Sequence, residues 1–336
     1  MTDAGNAHAA WIEQVREDAL EPELAICDAH HHLWLDTGHT GWPYTLADLH
    51  ADTASGHNVV RTVFLECGAE YRTDGPKYLK VVGETEFVAA SAAESAQGPG
   101  AEIAAIMSAA DLLDSHLDEV LDAHEAAGRG RFRGIRYILA QDDYKPLSMG
   151  TPAGVMANPT FLAGVRRLGE RGLTYDTMTY FHQIPEFADV ARACPDTTIV
   201  FNHLGGPVGV GPYKDRRDEV MAEWRTNMAQ LATVPNVYLK LGGIGMPMYG
   251  IRWDRQDKPP TSAELAAPWQ DHIRFCIDQF GPNRCLFESN FPVDKRGCGY
   301  VVLWNAFKRI ASTYSADEKR DLFHNSAARA YRVETV

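Results

Sequence analysis

The chain has no Cys-x-x-Cys pair; its six cysteines, Cys27, Cys67, Cys194, Cys276, Cys285 and Cys298, are scattered over 336 residues. That spacing suits reduced thiols of a cytoplasmic protein better than a disulfide framework. No apolar run approaches the length of a membrane span, and the first residues lack the basic-then-apolar pattern of a secretory signal. Cations are in deficit, 32 Lys and Arg against 45 Asp and Glu, for a net charge of −13. An acidic, solvated surface argues against nucleic acid and anionic membranes as partners and leaves a small-molecule substrate as the expectation. No internal repeat of solenoid length is present. No glycine-rich phosphate turn follows the first strand-like segment, which counts against a doubly wound nucleotide-binding sheet.

What is present is a globular composition, 45% hydrophobic, with a strict alternation of elements. Apolar, strand-like segments fall at 24–30, 59–66, 102–108, 132–139, 173–178, 197–202, 237–241 and 285–289. Helical stretches separate them, the longest at 262–280. Eight strands alternating with helices are connected most economically as parallel βα units, so the expected fold is α/β, a (β/α)8 TIM barrel. Residues 1–23, with Trp11, Ile12 and Val15 on one face and Pro22 near the end, are expected to form a short N-terminal helical extension clasping a barrel of residues 24–336.

Three consecutive histidines leave the first strand, in Asp28-Ala29-His30-His31-His32. Side chains alternate along a strand, so His30 and His32 share a face that His31 does not. Two imidazoles converging at a barrel mouth are either metal ligands, proton carriers or a structural cluster. A barrel concentrates its chemistry at the C-terminal ends of its strands. Those ends offer His30, His32, Glu66, Ser108, Arg136, Tyr180, His182, His203, Gly242-Gly243 and Asn290.

These motifs have a family resemblance. Asp28-x-His30-x-His32, Phe132-Arg133-Gly134-Ile135-Arg136, His182-Gln183-Ile184-Pro185, Asn202-His203-Leu204-Gly205-Gly206, Leu239-Lys240-Leu241-Gly242-Gly243 and Phe287-Glu288-Ser289-Asn290-Phe291-Pro292 resemble the amidohydrolase superfamily. The nearest resemblance is to its branch of metal-dependent TIM-barrel hydrolases, which includes sugar-acid lactonases and 2-pyrone-4,6-dicarboxylate lactonase. The resemblance implies a hydrolase opening a cyclic ester, and pairing of identical barrels. Two positions depart from the family pattern. Strand four ends in Arg136 where the wider superfamily often has a metal-bridging lysine, and Asn290 stands where an aspartate usually activates water. An amide has no useful basicity near neutral pH, so Asn290 cannot be the general base.

On this reading His30, His32 and His203 hold a divalent metal, zinc by their chemistry, or polarise a carbonyl together without one. Glu66 is a fourth candidate ligand, with an ion pair to Arg136 as its alternative. Glu288 faces the barrel interior one layer below Asn290 and needs a metal, an arginine or a proton as partner. Arg136 and Asn290 would steady a developing oxyanion, Tyr180 could donate to a carbonyl, and His182 or a carboxylate would handle protons. Asp294 is the nearest carboxylate to the missing base, although a solvated loop position is the commoner state for it. The loops at 141–159, 205–215 and 243–260 are long enough to shape a pocket, and Met246, Met248, Tyr249, Arg252 and Trp253 of the last, with Trp34, Trp42 and Tyr71, suggest one that is partly aromatic and larger than a simple sugar needs. A metal-dependent decarboxylase of an aromatic or enoic acid, and a non-catalytic binding barrel, are the alternatives.

Overall fold

The computed structural model describes residues 3–36, 38 and 40–334; His39, expected to be a surface or packing histidine, lies outside them. Eight strands run parallel in sequential order: β1 (Ile26–His31), β2 (Val59–Leu65), β3 (Glu102–Ala109), β4 (Phe132–Arg136), β5 (Thr174–Thr177), β6 (Ile199–Phe201), β7 (Val237–Leu241) and β8 (Cys285–Phe287). Helices cover the outer face between them, so strands such as β1, β5, β6 and β8 are buried at every position, and β6 and β8 read as continuous apolar runs. The ring closes just beyond β8. Asn290 N–H donates to His30 O at 2.9 Å, and His32 N–H donates to Phe291 O at 2.8 Å. The fold is a (β/α)8 TIM barrel, and its seam joins the histidine segment to the strand-eight motif.

Inside the ring, Cys27, Ala29, Val63, Leu65, Ala105, Met107, Val200 and Leu286 form one apolar cluster with Ala327, Ala330 and Tyr331 near the C-terminus. The last helix thus plugs the interior, and the packed interior of such a barrel is a core, not a pore. The plug carries one polar contact upward: the Tyr331 hydroxyl donates to Asp176 Oδ2 at 2.8 Å.

Two elements differ from the sequence expectation. The N-terminal helix covers Asp3–Ile12 and stops well short of Pro22. Beyond it the backbone bonds the barrel instead of itself: Leu20 N–H donates to Asn305, and Lys308 Nζ donates to the carbonyls of Leu20 and Glu21, each at 2.8 Å. The long helix expected at 262–280 is two, Ser262–Ala266 and Gln270–Phe280. Pro268 lies in the break, where it has no N–H to continue the ladder. Among the described residues no helix is long and apolar enough to cross a membrane, and all six cysteines are free thiols.

Candidate active site

The site is built where β1, β6 and β8 end. The β1–β2 register slips between Asp28 and His31, and such an irregularity re-aims side chains. Asp28 is held by the Ser289 N–H at 2.8 Å and the Tyr300 hydroxyl at 2.9 Å. His30 and His32, in contrast, meet over the interior, with their Nε2 atoms 3.1 Å apart. His203 follows β6 with φ +53°, and Asn290 follows β8 with φ +54°. Left-handed backbone at two non-glycine strand ends is costly and typical of a constrained functional site.

Glu288 lies between two of the histidines. Its Oε1 is 2.7 Å from His203 Nδ1 and its Oε2 is 2.9 Å from His30 Nδ1. Gly242 makes room for it: a Cβ there would lie 2.2 Å from Glu288 Cγ. Beneath this cluster the fully buried Lys240 donates to Asp176 at 2.9 Å and reaches His30 Nδ1 at 3.2 Å. Asn202 donates to the same Asp176 oxygen at 2.6 Å.

The electrostatics follow from burial and these neighbours. Burial opposes ionisation of Glu288, but His203 and Lys240 outweigh it and hold the carboxyl below its ordinary value. Burial pushes His30 and His32 well below the usual histidine range, helped by Lys240 for His30 and by Arg136 for His32. His203 is also lowered by burial, against the pull of Glu288. The cup therefore holds an anionic glutamate and three neutral imidazoles near neutral pH.

Tautomers follow from the partners. A carbonyl only accepts, so His32 Nδ1, 2.8 Å from Leu65 O, carries the proton and its Nε2 is a lone pair. The carboxylate of Glu288 makes the same assignment at His203. With its proton on Nε2, His30 donates to His32 Nε2 and its Nδ1 lone pair accepts from Lys240. That lone pair also lies 2.9 Å from Glu288 Oε2, a second acceptor. Glu288 Oε2 also has no hydrogen-bond partner among the described residues. Acceptors turned on one another are what a bound cation resolves. Donor atoms of His30, His203 and Glu288 all lie within 4.8 Å of one another, and nitrogen–oxygen sets of this kind suit a single divalent metal.

Above the cup is a cavity of about 380 Å³, lined by His32, His203, Asn290, Arg136, Glu66 and Tyr180 and by several apolar side chains. His30 and Glu288 do not line it; they are fully buried, in contact with His32 and His203, which do.

A family model described as amidohydrolase matches residues 27–333. The chain belongs to the amidohydrolase family. An uncharacterized protein, y4mH, of Sinorhizobium fredii is 32% identical over 93% of this chain and 99% of its own length. An L-fucono-1,5-lactonase of Burkholderia multivorans is 29% identical over 74% of this chain and 77% of its own. Among solved structures, an amidohydrolase of Burkholderia multivorans with bound zinc superposes with a TM-score of 0.73 at 23% identity, over 92% of this chain and all of that one. A probable 2-pyrone-4,6-dicarboxylic acid hydrolase of Acinetobacter baumannii superposes with a TM-score of 0.60 at 12% identity, over 91% and 99% of the two chains. These last two likenesses concern the fold.

This amidohydrolase rearranges several expected site residues. Glu66 stands apart from the donor set; its carbonyl accepts from Arg136 at 3.1 Å and its carboxylate lies 3.6 Å from the same guanidinium. Glu288 joins His30 and His203 in the mutually close donor set instead, because its residue parity turns it to the interior beside His30. His32 touches His30 but does not join the mutually close set. His182 is held by Asp142 at 3.0 Å, beside Tyr213, and does not line the cavity. The Tyr180 hydroxyl donates to Leu147 O at 2.5 Å, so Tyr180 offers the cavity its ring. Asn290 donates its amide to Asp294 at 2.9 Å. Asp294 is not solvated but completely buried, and burial pushes its carboxyl up to about 8. Of the side chains expected to shape the pocket, Met246 and Met248 line it, joined by Met149 and Met178, and the aromatic ones do not. Trp34 donates to Trp42 O at 2.9 Å, and Tyr249 is buried with its hydroxyl on His203 O at 2.5 Å. Lys240 and Asp176 were not singled out in the sequence, although a lysine and an aspartate inside otherwise apolar strands are the signal that finds them.

Proposed function

We propose that this amidohydrolase opens a cyclic ester by water attack at the cup formed by β1, β6 and β8. The observation that carries the reading is the close His30–His203–Glu288 set, with Glu288 Oε2 left without a donor among the described residues, behind a cavity that His32, His203 and Arg136 line. His30, His203 and Glu288 would hold one divalent cation, zinc by their chemistry. When bound, that ion supplies a positive charge beside the scissile carbonyl.

The chain's own groups perform the remaining steps. His32 lines the cavity with its Nδ1 edge held by Leu65 O, and in this reading it takes the proton of the attacking water. Arg136, always charged, stabilises the oxyanion that develops on the carbonyl and then the carboxylate of the product. His32 returns the proton to the leaving alkoxide as the ring C–O bond breaks. One lactone and one water give one hydroxy acid. Asn290 lines the cavity with its amide tied to Asp294, which leaves its carbonyl oxygen to accept from the water. The same reading makes a small molecule the partner and, with six free thiols, the cytoplasm the compartment.

The test is a panel of lactones assayed with and without added zinc, alongside metal analysis of protein purified without chelator. About one equivalent of metal and hydrolysis that depends on it are expected. Wild-type turnover by a His30→Ala, His203→Ala double variant overturns the reading.

A further inference from the structure

We propose that the substrate carries an apolar arm, alkyl or aryl, on its lactone ring, and that polyhydroxylated sugar lactones are poor substrates. This rests on the lactone-opening reading and goes further by naming the class. The cavity lining is of two kinds. Beside the catalytic groups it has an apolar wall of Ile138, Met149, Met178, Met246, Met248 and Val293. Four of the chain's nine methionines are therefore gathered at one cavity.

The wall reaches the reacting centre. Gly243 separates Met246 from His203, and a Cβ on it would lie 2.6 Å from Met246 Cε and 3.0 Å from His203 Nδ1. A substituent on the ring held at the cup thus meets thioether and methyl groups at once. The polar atoms set into this side are already engaged. The Tyr180 hydroxyl is on Leu147 O and the Cys67 thiol points to Leu33 O. A sugar lactone presents hydroxyls around its ring, and each one buried here without a partner weakens binding by about tenfold or more. An alkyl or aryl arm gains by the same contact.

Methionine also decides how selective the wall is. Its unbranched, polarizable side chain repacks around differing shapes. Met149, 54% exposed, overhangs the mouth and also lines an adjoining cleft of about 500 Å³ that shares Glu66, Arg136 and Ile138. A longer arm can run from the cup into that cleft, so activity is expected over a range of arm lengths.

The experiment compares dihydrocoumarin and δ-nonalactone with glucono-δ-lactone, using zinc-supplemented protein and a pH-indicator assay. Values of kcat/KM at least about 100-fold higher for the two apolar lactones are expected. A Met246→Gln, Met248→Gln variant should narrow that ratio about tenfold, chiefly through KM. Equal or better use of glucono-δ-lactone overturns the proposal and leaves the lactonase reading standing. Thermal melting with 3-(2-hydroxyphenyl)propionate and with gluconate separates the other failure. If no lactone is opened but only the aryl acid stabilises the protein, the apolar wall stands and the reaction is wrong. If neither acid binds and no lactone is opened, both fall.

Discussion

Asn290 donates its side-chain amide to the buried carboxyl group of Asp294 at 2.9 Å, and the Gly245 N–H donates to the other Asp294 oxygen, also at 2.9 Å. The pair ties the loop after β7 to the loop after β8, next to the methionines of the cavity wall. It also shows why the usual strand-eight aspartate cannot be restored by one substitution.

Asn290→Asp would set two buried carboxyls within hydrogen-bond reach, and like charges there cannot both ionise. Asp294 already keeps its proton up to about 8, and the new pair would hold one more strongly still. A raised carboxyl pKa stabilises the folded state at low pH and loses that contribution as pH rises. The variant is expected to melt near wild type at pH 5 and several degrees lower at pH 9, with kcat reduced. Melting curves across that range, together with lactone turnover, test this.

Glu288→Gln removes the charge shared by His30 and His203 while keeping the volume. The amide can satisfy one ring but cannot hold a cation as a carboxylate does. Metal content should drop well below one equivalent and kcat should fall about 100-fold. Elemental analysis and a zinc titration of activity distinguish weakened metal binding from a folding defect.

Lys240→Met breaks a completely buried ion pair and leaves Asp176 with only Asn202 and Tyr331 as donors. Removing one partner of such a pair costs about 3–5 kcal/mol. Urea unfolding should show that loss. A second change, Asp176→Asn, should recover part of it by neutralising the stranded carboxylate.

Glu84 accepts from the N–H groups of Cys67 at 2.9 Å and Ala69 at 2.8 Å and so fixes the loop that carries Glu66. Burial, reinforced by the nearby Glu66, pushes its carboxyl up to about 8. The unfolded chain releases that proton near about 4.3, so the contribution to stability is full below that value and is lost as pH rises to about 8. Glu84→Gln keeps an acceptor oxygen for the same N–H groups. Its melting temperature should vary less than that of wild type between pH 5 and pH 8.

The barrel was legible in the sequence because its signal is local. Parallel strands buried on both faces are apolar runs, and helices separate them at regular intervals. Six strand-end motifs lay where a barrel puts its chemistry, so His30, His32, His203, Arg136 and Asn290 could all be named. Their partners could not. Parity alone turned Glu288 inward, but only ring closure through Asn290 N–H and His30 O set it between two imidazoles. His182 shares a strand-end motif with the others, yet the turn that opens the next helix delivers it to Asp142. The N-terminal helix ends at Ile12, and the chain beyond it is held at Leu20 and Glu21 by Asn305 and Lys308, nearly three hundred residues away. Lys240 gave the clearest sequence signal that went unread, since a charge within an apolar strand needs a buried counter-charge. Periodicity is a property of neighbours along the chain, and it determined the elements. Which donors face which acceptors depends on closure of the ring, and only the tertiary structure decided that.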